Sequence, residues 1–163
     1  MLKEAIYVRG LVKYKNKCVL NNVSFMAFKG EVLGLVGNHG SGLSTLADIL
    51  CGLDRPDSGS IAIMGKRIVL ASKGDAERQG VCHIDQGGLL VNEMNAAENL
   101  CLSYPPIAKG LAVSKRTMER TANEILEGYR IRIDVRKYPF EMSAYEKDAV
   151  AMIKMTLRGA KIL

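Results

Sequence analysis

Residues 37–45 read Gly37-Asn38-His39-Gly40-Ser41-Gly42-Leu43-Ser44-Thr45, which keeps the spacing G-x-x-x-x-G-K-[ST] at every fixed position but the lysine. In that spacing, glycines let consecutive backbone N–H groups curl round an anion, and a following helix turns its positive end toward the same charge. Ser44 places a hydroxyl where a divalent cation would be met. Leu43 stands where a lysine would carry charge to the outer phosphates, the place where charge develops most during phosphoryl transfer. A hydrogen bond to a charged group is worth roughly 1.5–3 kcal/mol, so phosphates held by the amides alone are held weakly and efficient hydrolysis is not expected. A glycine-rich turn without a ligand is the alternative reading of the same residues.

The loop needs a strand before it and a helix after it. Val32-Leu33-Gly34-Leu35-Val36 is a nearly continuous apolar run of the kind that forms a strand buried on both faces. Leu46, Ile49 and Leu50 then recur at helical spacing, with Gly52 as the stop. Upstream, two strands over 6–14 and 18–28 flank the polar turn Lys15-Asn16-Lys17. Downstream, 54–59 is a turn cluster and 60–64 a short strand. Ser72 caps a helix through Gln79, and 81–84 reads as a second buried strand. Asn95 and Ala96 open a helix through Leu102, which Tyr104-Pro105-Pro106 stops. Ser114 caps a helix with Met118, Ala122, Ile125 and Leu126 on one face, ended by Gly128. Ser143 caps the last helix, running to about Leu157, with Met142, Met152 and Met155 read as core packing; Lys161-Ile162-Leu163 looks like the start of another strand.

In this order the residues resemble the nucleotide-binding subunit of ATP-binding cassette (ABC) transporters, most closely those of ribose- and galactose-type sugar importers. Asn22-Val23-Ser24-Phe25 and 29–37 look like the approach to the family's P-loop, Asp57-Ser58-Gly59-Ser60-Ile61 is similar to the turn after its first helix, and Ala97-Glu98-Asn99-Leu100 to the stretch after its Q-loop. The resemblance implies an α/β P-loop NTPase core with an N-terminal antiparallel β subdomain and an α-helical subdomain, truncated: a core portion over 1–86 and a helical portion over 87–158. It implies that Tyr14 stacks on adenine, that 37–45 hold the phosphates of ATP, and that Ser44 and Gln86 meet Mg²⁺, with Gln86 near the attacking water and the membrane subunit. Ser143-Ala144-Tyr145-Glu146 looks like a degraded family signature, in which Tyr145 replaces a glycine. The family's Walker B carboxylates would follow Leu163. The implied partners are a transmembrane permease and a second nucleotide-binding domain or a second copy, and the implied location is the cytoplasmic face of a membrane.

Composition sets limits on the alternatives. With 163 residues, 48% apolar, the chain holds a core without metal or disulfide staples, and disorder is excluded. Its four Cys form no CxxC pair and its two His complete no zinc spacing. No run reaches the roughly 18–20 apolar residues of a membrane span, so any membrane role is expected to be peripheral. The net charge of +6 is scattered in small clusters, Trp is absent, and no nucleic acid partner is expected. If the strands that fill the family's sheet are missing, 32–36 and 81–84 should show unpaired edges, which oligomerisation could repair. A non-catalytic interaction module that binds no nucleotide remains the rival from another class; a small P-loop kinase fits the length but explains neither Gln86 nor Ser143.

Overall fold

The computed structural model describes residues 3–84, 89–106 and 114–163. The chain divides into two compact units, one of Met1–His83 with Ile162 and one of Ile84–Lys161 with Leu163.

The first unit is built on a four-stranded antiparallel sheet in the order β2-β1-β3-β4, with β1 Glu4–Lys15, β2 Lys17–Phe28, β3 Ser58–Ile63 and β4 Lys66–Ile68. The β1–β2 hairpin turns at Asn16, which takes the left-handed conformation (φ 59°), and its register shifts several times. One shift lies where Gly10 (φ 60°) faces β2 and donates its N–H to Ser24 Oγ at 2.8 Å. Alternation then aims Ile6 and Val8 of β1 and Ile61 and Ile63 of β3 into a core closed by Leu46 and Ile49 of helix α1, Leu43–Leu50. The short β4 is an element that the sequence pattern did not reveal. Helix α2, Lys73–Gln79, adds Ala76 to the same core.

Two expected strands are corrected. Residues 32–36 form no strand, and their side chains face solvent, Val32 at 98% and Val36 at 95% exposure. A buried strand needs neighbours on both edges to satisfy its backbone, and no described segment pairs with this one. Residues 81–84 are reduced to one parallel bridge, Val81 with Ile162, in which Ile162 N–H donates to Gly80 O and Cys82 N–H to Ile162 O, both at 3.0 Å. The expected strand at 161–163 is thus a single bridging residue.

The second unit packs α3 (Ala96–Cys101), α4 (Lys115–Gly128) and α5 (Ala144–Leu157) round Leu100, Ala122, Leu126, Val150 and Ile153, with a 3-10 turn at Pro139–Glu141 before α5. Met142 and Met155 lie in the interior as expected, whereas Met152 is 47% exposed. Helix α4 ends at Gly128 as expected. Its left-handed residue is Arg130 (φ 57°), not Gly128, because Ile131 N–H donates to Leu126 O and Arg130 N–H to Glu127 O, a Schellman closure with arginine at the usual glycine place. Helices α1, α2 and α5 close in the same way on Gly52, Gly80 and Gly159.

Candidate functional site: a glycine loop on an open helix start

The loop is folded on itself. Ser41 N–H donates to Asn38 O at 3.0 Å, and Gly40 (φ 79°) and Gly42 (φ 89°) take backbone angles that a side chain would strain. A Cβ on Gly37 would collide with the Ser41 side chain and would stand 3.5 Å from Leu43 Cδ1, so the ring closes at its first glycine and Leu43 lies back over it. At the other end, a Cβ on Gly42 would come within 2.7 Å of Val19 O and 2.8 Å of Leu20 Cδ2, which seats the end of the loop against β2. Thr45 turns inward and is buried, while Asn38, His39, Ser41 and Ser44 are exposed and Leu43 is 37% exposed.

The start of α1 differs from the other helices. Ser72, Asn95, Ser114 and Ser143 each place a side-chain oxygen on an amide of the first turn of α2, α3, α4 and α5. Gly42 has no side chain to do so, and α1 carries no acidic residue in its first turn. The first N–H groups of a helix lack partners within it, so in α1 they are available to an acceptor from outside. The arrangement fits a phosphate: amides, a helix dipole, and the Ser44 hydroxyl beside them. The residues also suit a hydrated Mg²⁺ held through one hydroxyl and phosphate oxygens. They do not provide a cation at position 43.

Tyr14 sits at the end of β1 with its side chain 62% exposed. Its placement depends on residues that sequence reasoning took only as a turn. Tyr14 N–H donates to Asp57 Oδ2 at 2.6 Å, Lys13 Nζ meets Asp54 Oδ1 at 2.7 Å and Arg55 O at 2.6 Å, and Lys15 Nζ meets Asp54 Oδ2 at 3.0 Å. The hydrogen bond from Lys13, then that from Lys15, hold the Asp54 carboxyl down to about 2 against the opposing effect of burial. Both lysines beside Tyr14 are therefore committed to Asp54. The signal was the pairing of Lys-Tyr-Lys with a turn bearing two aspartates, but about 40 residues of intervening chain hid it.

In the second unit, Ser143 and Glu146 form a capping box. Ser143 Oγ accepts from Glu146 N–H at 3.2 Å, Glu146 Oε2 accepts from Ser143 N–H at 2.8 Å, and Glu146 Oε1 meets Lys137 Nζ at 2.8 Å. The Lys137 ammonium, helped by the Ser143 N–H, holds the Glu146 carboxyl below its ordinary range, and Glu146 in turn raises Lys137. Ala144 is exposed, and Tyr145 stands 66% exposed. Gln86 lies outside the described residues. Residues 91–94 are fixed by Asn99 of α3, wholly buried, which accepts from Val91 N–H (2.8 Å) and donates to Val91 O (3.0 Å) and Met94 O (2.9 Å). Lys154 of α5, also buried, donates to Leu89 O at 2.7 Å and Asn99 Oδ1 at 3.3 Å; burial, with Arg158 adding to it, pushes its pKa down. In the sequence, Asn99 stands out only as part of a stretch that resembles the family, and Lys154 does not stand out.

Comparison with known proteins agrees with this architecture. The ribose import ATP-binding protein RbsA 1 of Rubrobacter xylanophilus is 34% identical over 99% of the chain, which spans 32% of that protein. The arabinose import ATP-binding protein AraG of Mannheimia succiniciproducens is 35% identical over 88% of the chain, spanning 28% of its length. The chain thus covers about a third of these relatives. Among solved structures, an ATP-binding cassette of an ABC transporter superposes with a TM-score of 0.76 at 24% identity, over 97% of this chain and 66% of that one. An ATP-binding subunit of an ABC transporter superposes at 0.64 with 27% identity, over 96% of this chain and 63% of that one. These are P-loop NTPase cassettes, and the ABC transporter profile matches residues 20–163: the chain belongs to the ABC transporter family.

Proposed function

We propose that this chain supplies the phosphate-binding half of an ATP-binding subunit in a sugar-import system, holding ATP weakly and hydrolysing it poorly if at all. The observation that carries the reading is the α1 start, left open by Gly42 at the end of a loop whose glycines adopt left-handed angles. In this reading Asn38 to Thr45 hold the phosphates, Tyr14 stacks on adenine, and Ser44 with Gln86 would hold Mg²⁺, whose chemistry is to neutralise charge on the outer phosphates. Gln86 also faces a transmembrane permease, and Ser143 to Glu146 face the nucleotide of a second cassette or a second copy. The chain then works at the cytoplasmic face of a membrane; no helix among the described residues is long and apolar enough to cross one.

Two departures within the chain oppose hydrolysis. Leu43 brings no charge to the transferring phosphoryl group, and Tyr145 puts a ring where close backbone approach is needed. The ribose and arabinose import relatives support sugar import as the setting. A thermal-shift titration with MgATP beside a steady-state phosphate-release assay tests the reading. Nucleotide at 100 times its Kd should add about 2.7 kcal/mol of stability, with negligible turnover. Turnover comparable to that of an intact cassette would refute the role given to Leu43 and Tyr145. A flat titration would favour the second reading, a non-catalytic module that binds no nucleotide and pairs with an intact subunit, which Leu43 itself favours.

A further inference from the structure

We propose that the 37–45 loop reads a nucleotide through its diphosphate and gains nothing from a third phosphate, so that a nucleoside diphosphate binds at least as tightly as the triphosphate. This rests on the nucleotide reading above and specifies which ligand that site takes.

The reasoning follows which group can reach which phosphate. Loop amides and the first turn of the helix cradle the two inner phosphates, and the lysine of the usual spacing reaches from the inner pair to the outermost one. The helix dipole contributes only about half an elementary charge and fades within one turn, so it favours the inner phosphates. In this chain the amide half of the site is intact: Gly42 leaves the α1 start open, and Gly40 and Gly42 carry left-handed angles. The half that answers the outer phosphate is not. Leu43 is folded back toward Gly37, with Cδ1 3.5 Å from where a Cβ would stand, and so presents hydrocarbon beside the loop. No Lys or Arg occurs between 37 and 45. At the β1–β2 turn, Lys13 and Lys15 are both bound to Asp54, and Lys17 is exposed.

An independent observation comes from the second unit. The segment that in a pair of cassettes would meet the outer phosphate across the interface begins at Ser143. Here its first-turn amide at Glu146 is already taken by Ser143 Oγ, and the Glu146 carboxylate stands at the same helix end, held by Lys137. Beside it Tyr145 projects into solvent. A second copy of this chain would therefore offer the third phosphate an aromatic ring and a carboxylate already paired with Lys137. A third phosphate adds negative charge that neither the site's own loop nor a second copy compensates, and charge placed without compensation costs free energy.

The test is isothermal titration of the whole purified chain with MgADP, a magnesium complex of a non-hydrolysable ATP analogue, and AMP. The expected result is a Kd for MgADP equal to or below that of the triphosphate analogue, with AMP weaker than both. Leu43→Lys should shift the ratio of the two affinities toward the triphosphate roughly tenfold or more, the size of one charged hydrogen bond. Leu102→Lys, an equal charge added at an exposed position in the other unit, should leave the ratio unchanged. Triphosphate binding clearly tighter than MgADP in the unaltered chain overturns the proposal, and so does AMP binding as tightly as MgADP. The unaltered chain decides these points even if Leu43→Lys fails to fold. If no nucleotide binds at millimolar concentration, the nucleotide reading itself fails and this inference falls with it, whereas binding with a triphosphate preference refutes this inference alone.

Discussion

Gly42 joins the fold to the site, and replacing it separates two effects that a glycine can hide. In Gly42→Ala the new Cβ sits at φ 89°, where an L side chain is strained, and 2.7 Å from Val19 O, against an ordinary closest approach of 3.4 Å. The shortfall of about 0.7 Å is against backbone in a paired strand, which cannot yield as a flexible side chain would. Gly40→Ala is the control: φ is 79°, but a Cβ there meets nothing within 4 Å. The left-handed angle costs roughly 1–2 kcal/mol in both variants, and overpacking against β2 adds roughly 1–3 kcal/mol in Gly42→Ala alone. Urea denaturation followed by far-UV circular dichroism should show Gly42→Ala less stable than Gly40→Ala by about 2 kcal/mol. Nucleotide titrations should show Gly42→Ala losing the thermal shift, because the α1 start is displaced from the loop. Equal destabilisation of the two variants would refute the claim that the loop is seated on Val19, and an unchanged nucleotide shift in Gly42→Ala would refute its role at the phosphate site.

Three further outcomes are expected. Because Asp54 is held at about 2, below the ordinary carboxylate value near 4, its contribution is complete above pH 4 and lost as pH falls through 2. With its carboxylate 22% exposed, solvent screening reduces the contribution to about 1 kcal/mol, so Asp54→Asn should lower the urea midpoint at pH 7 and make little difference near pH 2; an equal deficit at both pH values would count against the pairing with Lys13 and Lys15. At the end of α4, Arg130→Gly and Gly128→Ala should each stabilise by about 0.5–1 kcal/mol, the first by relieving φ 57° and the second by adding a methyl to a helix position with open space around it, and destabilisation by either in a thermal melt would contradict the Schellman assignment. Asn99→Ala should cost about 3 kcal/mol or more, since it strips partners from Val91 and Met94 and from Lys154 together, whereas Lys154→Met should cost far less because it removes the buried charge and takes a donor from Leu89 O while Asn99 Oδ1 keeps Val91 N–H; equal losses in urea melts would show that Asn99 is not the centre of that network.

What could be read in the sequence follows the range of the interactions involved. Ser72, Asn95, Ser114 and Ser143 were recognisable as caps because each acts on an amide three residues away, a distance at which the sequence itself carries the geometry. The glycine loop was legible for the same reason. Residues 32–36 have every local mark of a strand, yet a strand is completed by its neighbours, and no described segment pairs with them; the apolar pattern records a tendency, and the backbone partners decide the state. The closure at Arg130 shows a related limit. The helix stops at Gly128, but the left-handed residue is Arg130, two positions further on, because the Arg130 and Ile131 N–H groups donate back to Glu127 O and Leu126 O. The site divides in the same manner: the residues that would touch a ligand lie in one short run, while those that hold Tyr14, Asp54 and Asp57, are about 40 positions away and those that hold residues 89–91, Asn99 and Lys154, sit on two other helices. A substitution within the run changes chemistry that spacing alone announces, so Leu43 could be weighed at sight. A substitution among the supports changes only where that chemistry is held, and the structure is needed to find them.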